Sequence, residues 1–348
     1  MPESIKVDEF IERAASVALV DVRAPKEYAK GHIPGAKNIP LFDDNARALI
    51  GTRYHQAGRR EAILDGLEII GPQLKEMADA LLALASENQL LLYCWRGGMR
   101  SASLAWLADL VGIKVQILDG GYKAFRNFAL EIFGRKMNIH VLGGYTGSGK
   151  THILKELESR GEQFIDLEGL AHHKGSAFGG IAQPAQPTQQ LFENRLALDL
   201  LRVDPGKRVW IEDEGKKVGK NMVPLPLYEQ TREADLIFLE LPVAYRVERL
   251  VKEYGALQED ELATSLEKIR ERLGGANCKE ADTALKSGDF AGCAQLLLER
   301  YYDGMYLYSV KRRAEDKIHK LAPDLSEGES IVEQILDFSC TLKTESAE

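Results

Sequence analysis

The chain has 348 residues, 45% hydrophobic and 28% charged, with a net charge of −8. That length allows two domains with cores of their own, and the composition excludes disordered, collagen-like and disulfide-stapled classes. No apolar run approaches the ~18 residues of a membrane helix. The polar start from Met1 to Glu9 carries no secretory pattern. Cysteines at 94, 278, 293 and 340 have neither metal nor paired spacing, which suits free thiols in a reducing cytoplasm. The first 135 residues carry 17 charges of each sign, so the acidic excess lies wholly after them. A polyanionic partner would therefore need local patches. Candidates are Arg53, Arg59 and Arg60; Lys216, Lys217 and Lys220; and Lys311, Arg312, Arg313, Lys317 and Lys320.

In chain order, Val7, Phe10, Ile11 and Ala14 space as a short amphipathic helix. Val17 to Arg23 is a buried strand ending in a charged pair, Lys26 to Lys30 a helical turn, and Gly31 to Pro40 a turn-rich return to a strand. Residues 41–66 read as a polar insertion, and Leu74 to Ala85 as a helix. Gln89 to Tyr93 is an apolar run of buried-strand type, and the stretch from Ser101 to Leu110 has a helical apolar face. Cys94 thus stands at a strand end, in a loop that runs into a helix N-terminus. Gly97 and Gly98 let that loop curl until its N–H groups converge, and Arg96 and Arg100 add positive charge. A thiol in such a cradle is partly ionised and attracts an anion carrying a transferable atom. Lys114 to Tyr122 is a last strand and turn. Strands alternating with helices imply a mostly parallel sheet, with Cys94 at a carboxyl edge where such sheets hold ligands.

Gly134 to Asn138 is a polar joint, followed by the strand Ile139 to Leu142. Gly144, Tyr145, Thr146, Gly147, Ser148, Gly149, Lys150 and Thr151 then satisfy the phosphate-loop pattern G-x-x-x-x-G-K-[ST]. Its amides and the following helix grip a phosphate, Lys150 adds a point charge, and Thr151 suits Mg²⁺. Gln163 to Glu168 is a strand with acids at its end, where Asp166 is either a substrate-binding acid or a helix cap. His172, His173, Lys174 and Ser176 open a long loop of substrate-loop type. Arg208 to Glu214 is a strand entering an acidic cluster, with Glu212 or Asp213 to orient Mg²⁺ or merely to face solvent. Leu236 to Leu241 is a further strand; Arg246 and Arg249 after it contact phosphates or make surface ion pairs. Residues 257–300 read as helices, and Arg300 to Lys320 as one Tyr- and Arg-rich helix whose tyrosines stack on bases or pack in a core.

The first part resembles the rhodanese family. The pieces that carry this are Asp21-Val22-Arg23, Glu27-Tyr28, Gly31-His32-Ile33-Pro34-Gly35-Ala36, the Cys94 loop, and Leu118 to Arg126, over about residues 5–130. The resemblance implies that Cys94 carries a chalcogen and that Asp21, Arg23 and His32 are structural. Arg100 lies six residues after Cys94, the spacing of the Cys-x5-Arg cradle of rhodanese-like phosphatases, although Tyr93 stands where those usually have histidine. The longer loop also suits a donor larger than thiosulfate.

The Cys94 loop followed by the phosphate loop, with Leu170 to Ser176 behind them, resembles the tRNA 2-selenouridine synthase family over nearly the whole chain. The fold implied is α/β: an N-terminal rhodanese-like domain with a mostly parallel sheet at 1–133, a linker at 134–138, and a P-loop NTPase-like α/β domain with a helical C-terminal part at 139–341. A disordered tail at 342–348 would follow. The resemblance implies a cytoplasmic enzyme that acts on wobble 2-thiouridine of tRNA. Geranyl diphosphate would alkylate the sulfur, and selenium from selenophosphate would replace the geranylthio group. Cys94 would take up selenium or position selenophosphate, held by Arg96, Gly97, Gly98, Met99 and Arg100, while the phosphate loop would hold the diphosphate. Thr151 and Asp213 are the Mg²⁺ candidates; no tightly bound cofactor and no membrane are expected, and selenophosphate synthase would be the supplier. Two other readings stand beside this one: a small-molecule kinase fused to a sulfurtransferase or rhodanese-like phosphatase, and a nucleotide-binding regulatory switch.

Overall fold

The structure is a computed structural model that describes residues 2–255, 259–325 and 330–342. Two compact units emerge: residues up to Ile132 with Thr188–Leu198, and Phe133–Pro187 with the chain from Asp199 onward. Among the described residues no helix is long and apolar enough to cross a membrane. Of the tail anticipated at 342–348, all but Leu342 lies outside the described residues.

In the first unit, strands β1 (Glu3–Ile5), β2 (Leu19–Asp21), β3 (Lys37–Asn38), β4 (Gln89–Tyr93) and β5 (Lys114–Leu118) form one sheet in the order β1-β5-β4-β2-β3. Every pairing is parallel. Such a sheet is covered on both faces, which is why β4 reads as an unbroken apolar run instead of alternating. Leu90 and Leu92 pack with Val20, Val22, Leu104, Leu107 and Ile117 in one core. The polar insertion is a pair of helices, Asp44–Ala57 and Arg59–Ile70, the first capped by Asp43 accepting from the Ala46 amide.

The sequence division at 134–138 left residues 188–198 in the second domain, whereas this segment packs within the first unit. Its helix, Gln189–Arg202, carries buried Asn194. Asn194 donates to the His32 carbonyl at 2.7 Å and the Tyr122 hydroxyl at 2.8 Å, and accepts from Arg126. Those polar groups lie far away in sequence, so local patterning gave no sign of them.

In the second unit, β6 (Asn138–Gly144), β7 (Gln163–Ile165), β8 (Arg208–Glu212), β11 (Asp235–Leu239) and β12 (Ile318–Leu321) form a parallel sheet in the order β12-β11-β6-β8-β7. A small antiparallel hairpin, β9 (Lys217–Val218) and β10 (Asn221–Met222), stands apart. The chain winds one way from β6 to β8 and the other way to β11 and β12, so the carboxyl end of β6 lies at a topological switch point, where α/β sheets bind ligands. Leu142, Leu154, Trp210, Ile237 and Ile335 fill the core around it.

The single helix anticipated from Arg300 to Lys320 does not form. A π-helical turn at Leu298–Tyr302 leads into helix Asp303–Val310, and Ile318–Leu321 extends as β12. The open edge of β11 offers ladder hydrogen bonds to Ile318 through Leu321, and satisfying those backbone groups outweighs helical propensity. Helices Glu259–Leu273, Gly275–Lys286 and Phe290–Leu297 build a separate apolar cluster around Leu266, Ile269, Ala281 and Leu297.

Candidate functional site

Cys94 follows the last residue of β4 and is 3% exposed. Its Sγ accepts from the Gly98 amide at 3.2 Å and the Ser101 hydroxyl at 3.3 Å. Burial alone would push the thiol up; hydrogen bonds from the Ser101 hydroxyl and from the amides of Arg96, Ser101 and Gly98 outweigh it and hold the thiol below its ordinary value. Helix Met99–Leu110 begins immediately after Gly98, so its N-terminus faces the same sulfur.

The loop keeps its shape because a second turn lies against it. Tyr122 donates its amide to the Cys94 carbonyl at 2.8 Å, and Lys123 to that of Trp95 at 3.0 Å. Gly121, at φ +62°, approaches so closely that a Cβ there would lie 2.5 Å from both the Cys94 oxygen and the Gly97 nitrogen. The Asp119 to Tyr122 stretch is therefore the support of the cradle. Spacing alone could not reveal that role, because the contact is made between β-strand ends.

The two arginines of the loop diverge. Arg96 is exposed. Arg100 is paired with Glu27 at 2.6 Å, its side chain 18% exposed. Burial would raise the Glu27 carboxyl, but the Arg100 guanidinium holds it below the usual range. Gly97, Gly98 and Met99 complete the loop, and Trp95 and Met99, 37% and 44% exposed, give it an apolar rim. Asp21 and Arg23 are a buried pair: Arg23 also donates to the Gly31 carbonyl and lies over the Tyr122 ring, 3.8 Å from its centre. His32 stacks on Tyr28 and hydrogen-bonds its carbonyl. All three are structural, as the motif implied.

In the second unit the phosphate loop joins β6 to helix Lys150–Ser159. Lys150 donates to the Gly144 carbonyl at 3.0 Å, and Ser148 to that of Tyr145 at 2.7 Å. Gly144 donates to the Tyr306 hydroxyl, which itself donates to Asp213 at 2.8 Å. Asp213 also pairs with buried Arg313 at 2.7 Å. Asp213 is thus committed to holding the loop and does not face Thr151 as a Mg²⁺ ligand would. The residue that faces Thr151 is Glu212, which accepts from its hydroxyl at 2.6 Å, with Glu168 at 3.1 Å. Strand alternation explains the exchange, because neighbouring residues leave β8 toward opposite sides.

Asp166 is a helix cap, accepting from the Gly169 amide at 2.7 Å. Two residues on, Glu168 is the acid that turns toward the loop, a distinction of about half a helical turn that the strand-end pattern did not separate. Arg246 is fully buried, paired with Asp303 at 2.8 Å and donating to the Thr146 carbonyl, so it braces the phosphate loop from behind. Arg249 lies on the loop itself: a Cβ on Gly149 would fall 2.5 Å from its guanidinium carbon. His172 caps a short helix and bonds to the Ala185 carbonyl, and Lys174 pairs with Glu253. Ser176 accepts from the Phe178 amide. The third basic patch is largely neutralised, with Arg313 on Asp213, Lys317 near Asp235 and Lys320 on Glu240. Tyr301 packs in the helical core and Tyr306 behind the loop, so neither is a stacking platform.

A cavity of about 950 Å³ starts at this loop. Thr146, Gly149, Lys150 and Arg249 line one part of it, together with Glu168, Glu212 and Glu214, while His173, Lys174 and Ser176 border it. Phe178, Leu262, Ile269, Leu285, Phe290 and Leu297 also line it, with Lys268, Glu271 and Arg272 from the same helix as Leu262 and Ile269. Phosphate-loop residues and a set of apolar side chains thus line one cavity. The sequence reading missed the apolar lining, because helices 259–297 read only as core formers.

Comparison with known proteins agrees with both halves. Residues 6–128 match the rhodanese-like domain, and residues 137–324 match the tRNA 2-selenouridine synthase AAA domain. A tRNA 2-selenouridine synthase of Pseudomonas putida is 38% identical over 86% of this chain and 89% of its own. One of a Sulfurovum species is 38% identical over 85% and 89%, and one of Shewanella woodyi 36% over 87% and 90%. With a thiolate cradle on one sheet, a phosphate loop on the other, and these matches spanning both, the chain belongs to the tRNA 2-selenouridine synthase family of enzymes.

Proposed function

We propose that this enzyme converts wobble 2-thiouridine of tRNA to 2-selenouridine in the cytoplasm, in two steps carried by its two loops. In the first, the thiouridine sulfur attacks C1 of geranyl diphosphate. The C–S bond forms, the C–O bond breaks, diphosphate leaves with the electron pair, and the base loses its N3 proton. The observation that carries this reading is the cavity, whose lining includes both Lys150 and Arg249 of the phosphate-loop region and the apolar side chains of Phe178, Leu262, Leu285 and Leu297. At about 0.8 kcal/mol per buried CH₂, the roughly ten carbons of a geranyl chain would contribute up to about 8 kcal/mol before ordering costs. Competition between geranyl diphosphate and ATP for this cavity separates the isoprenoid from the kinase reading.

Alkylation turns a poor leaving group into a good one and makes C2 electrophilic. The selenium of selenophosphate then bonds to C2 while the C–S bond breaks, and the geranylthiolate leaves. Selenium uptake by Cys94 with release of orthophosphate would need an oxidant, whereas this route needs none. Cys94, in a loop of Cys-x5-Arg spacing, takes the phosphoryl group from selenium: S–P forms, P–Se breaks, the selenouridine leaves, and water frees the phosphate. Exposed Arg96 and the amides of Gly97 and Gly98 suit the phosphate, and Trp95 and Met99 suit the alkylated base. Selenophosphate synthase would supply the donor.

The test is incubation with thiolated tRNA, geranyl diphosphate and selenophosphate, followed by nucleoside mass spectrometry. Cys94→Ala should stop selenouridine formation and leave S-geranylation intact, and Lys150→Ala should depress geranylation. Equal loss of both products in both variants would defeat the division of labour.

A further inference from the structure

Several basic residues of the second unit are spent on acids: Lys174 on Glu253, Arg246 on Asp303, Arg270 on Glu267 and Arg313 on Asp213. Lys217, Lys220, Lys268 and Arg272 are not. All four are exposed, and among the described residues none of them pairs with an acid. All four line the cavity that holds the phosphate loop. Of the exposed acids in that lining, Glu253 is taken by Lys174, which leaves Glu271 against four cations. Glu168, Glu212 and Glu214 sit deeper, partly or wholly buried beside the loop. A chain with a net charge of −8 thus turns a positive edge to solvent at this cavity.

Two elements bring these cations together. Lys217 and Lys220 belong to the β9–β10 hairpin, whose turn is pinned. Gln186 accepts from the Lys220 amide at 2.7 Å, and a Cβ on Gly219, at φ +56°, would lie 2.7 Å from the His173 ring. Lys268 and Arg272 stand four residues apart on helix Glu259–Leu273, hence on one face, where like charges cost helix stability. His173 joins the two elements: burial and the Lys268 charge together hold its imidazole below the ordinary value, so Lys268 lies near the ring on which the hairpin rests. Unpaired like charges gathered at one opening repel one another, and a polyanion relieves that repulsion.

We propose that Lys217, Lys220, Lys268 and Arg272 form the surface that holds the sugar-phosphate backbone of the tRNA substrate at the edge of this cavity. Lysine and arginine contacts to phosphates supply affinity and fix the position of a nucleic acid without reading its bases. Contacts at this edge place a target base beside the phosphate loop, where the proposed alkylation needs it. The inference rests on tRNA as the substrate in that reading, and not on the alkyl donor.

The test is fluorescence anisotropy of an end-labelled, unmodified tRNA transcript with the full chain, without geranyl diphosphate, from about 50 to 200 mM KCl. The double variants Lys217→Gln/Lys220→Gln and Lys268→Gln/Arg272→Gln should each weaken binding on the order of tenfold at ~0.1 M salt. Each should also flatten the plot of log K against log salt by about 1.4, at roughly 0.7 per phosphate contact on a single strand. The four side chains are exposed and unpaired, so glutamine leaves the fold in place, and melting curves check it. Lys207→Gln, an exposed residue just before β8 at the other end of the same sheet, is the control and should change neither quantity. Unchanged tRNA binding in both double variants, or equal weakening by Lys207→Gln, overturns the proposal. So does a matching loss of inorganic diphosphate binding, read by calorimetry, which would assign the four cations to the small anion. A chain that holds tRNA through these residues yet transfers no geranyl group keeps the proposal and refutes the alkyl-donor reading instead.

Discussion

Gly121→Ala tests whether the Asp119 to Tyr122 turn holds the thiolate cradle. Gly121 has φ +62°, where an alanine costs about 1–2 kcal/mol from Cβ strain alone. The new Cβ would also lie 2.5 Å from the Cys94 carbonyl oxygen and from the Gly97 nitrogen, about 0.9 Å inside ordinary contact at 3.4 Å. Both are backbone atoms, so the relief cannot come from a side-chain rotation, and overpacking of this kind costs about 1–3 kcal/mol more. The sum is about 2–5 kcal/mol. Moving the loop by most of an ångström would also break the Gly98 amide bond to Sγ, already 3.2 Å long. Gly35→Ala is the control: φ is +87°, and nothing lies within 4 Å of its Cβ. It should show the strain without the collision. Urea denaturation reads the stability difference, and the pH dependence of Cys94 alkylation by iodoacetamide reads the thiol. Gly121→Ala should lose more stability than Gly35→Ala and shift the alkylation midpoint upward. Equal stability losses with an unmoved midpoint would refute the support role.

Ser101→Ala removes the side-chain donor to Sγ without touching the backbone donors, so the alkylation midpoint should rise while the fold persists. An unchanged profile would mean that the amides alone lower the thiol. Ala294→Phe places bulk among the apolar side chains of the cavity. It should raise KM for geranyl diphosphate and spare selenation of tRNA supplied already geranylated; impairment of both steps alike would count against an isoprenoid chamber. The third outcome concerns pH. Glu168, Glu212 and Glu214 titrate near 8 in the folded chain, above their unfolded value, so folding takes up protons. Their stability contribution is therefore full below about pH 4.5 and is lost as pH rises through about 8. In chelator-treated protein the urea midpoint should fall between about pH 5.5 and 8.5, and Glu212→Gln should flatten that fall. A midpoint that rises over this range would contradict the buried cluster.

The sequence by itself determined what depends on neighbours along the chain. Apolar strands followed by glycine-rich turns and helices were enough to locate Cys94 and the phosphate loop at sheet edges, and the motifs were enough to indicate the family. The helix cap at Asp166 was one of two options that local pattern allowed. Only the tertiary structure decided which charged groups are spent on each other: Arg100 on Glu27, Arg246 on Asp303, Asp213 on Arg313 and Tyr306. It alone brought Glu168, Glu212 and Glu214 together from two segments, set apolar side chains of helices 259–297 around the cavity, and set residues 188–198 in the first unit. The physical reason is that a charge or a cavity is defined by what surrounds it in space, and those partners lie as far as 162 residues away along the chain.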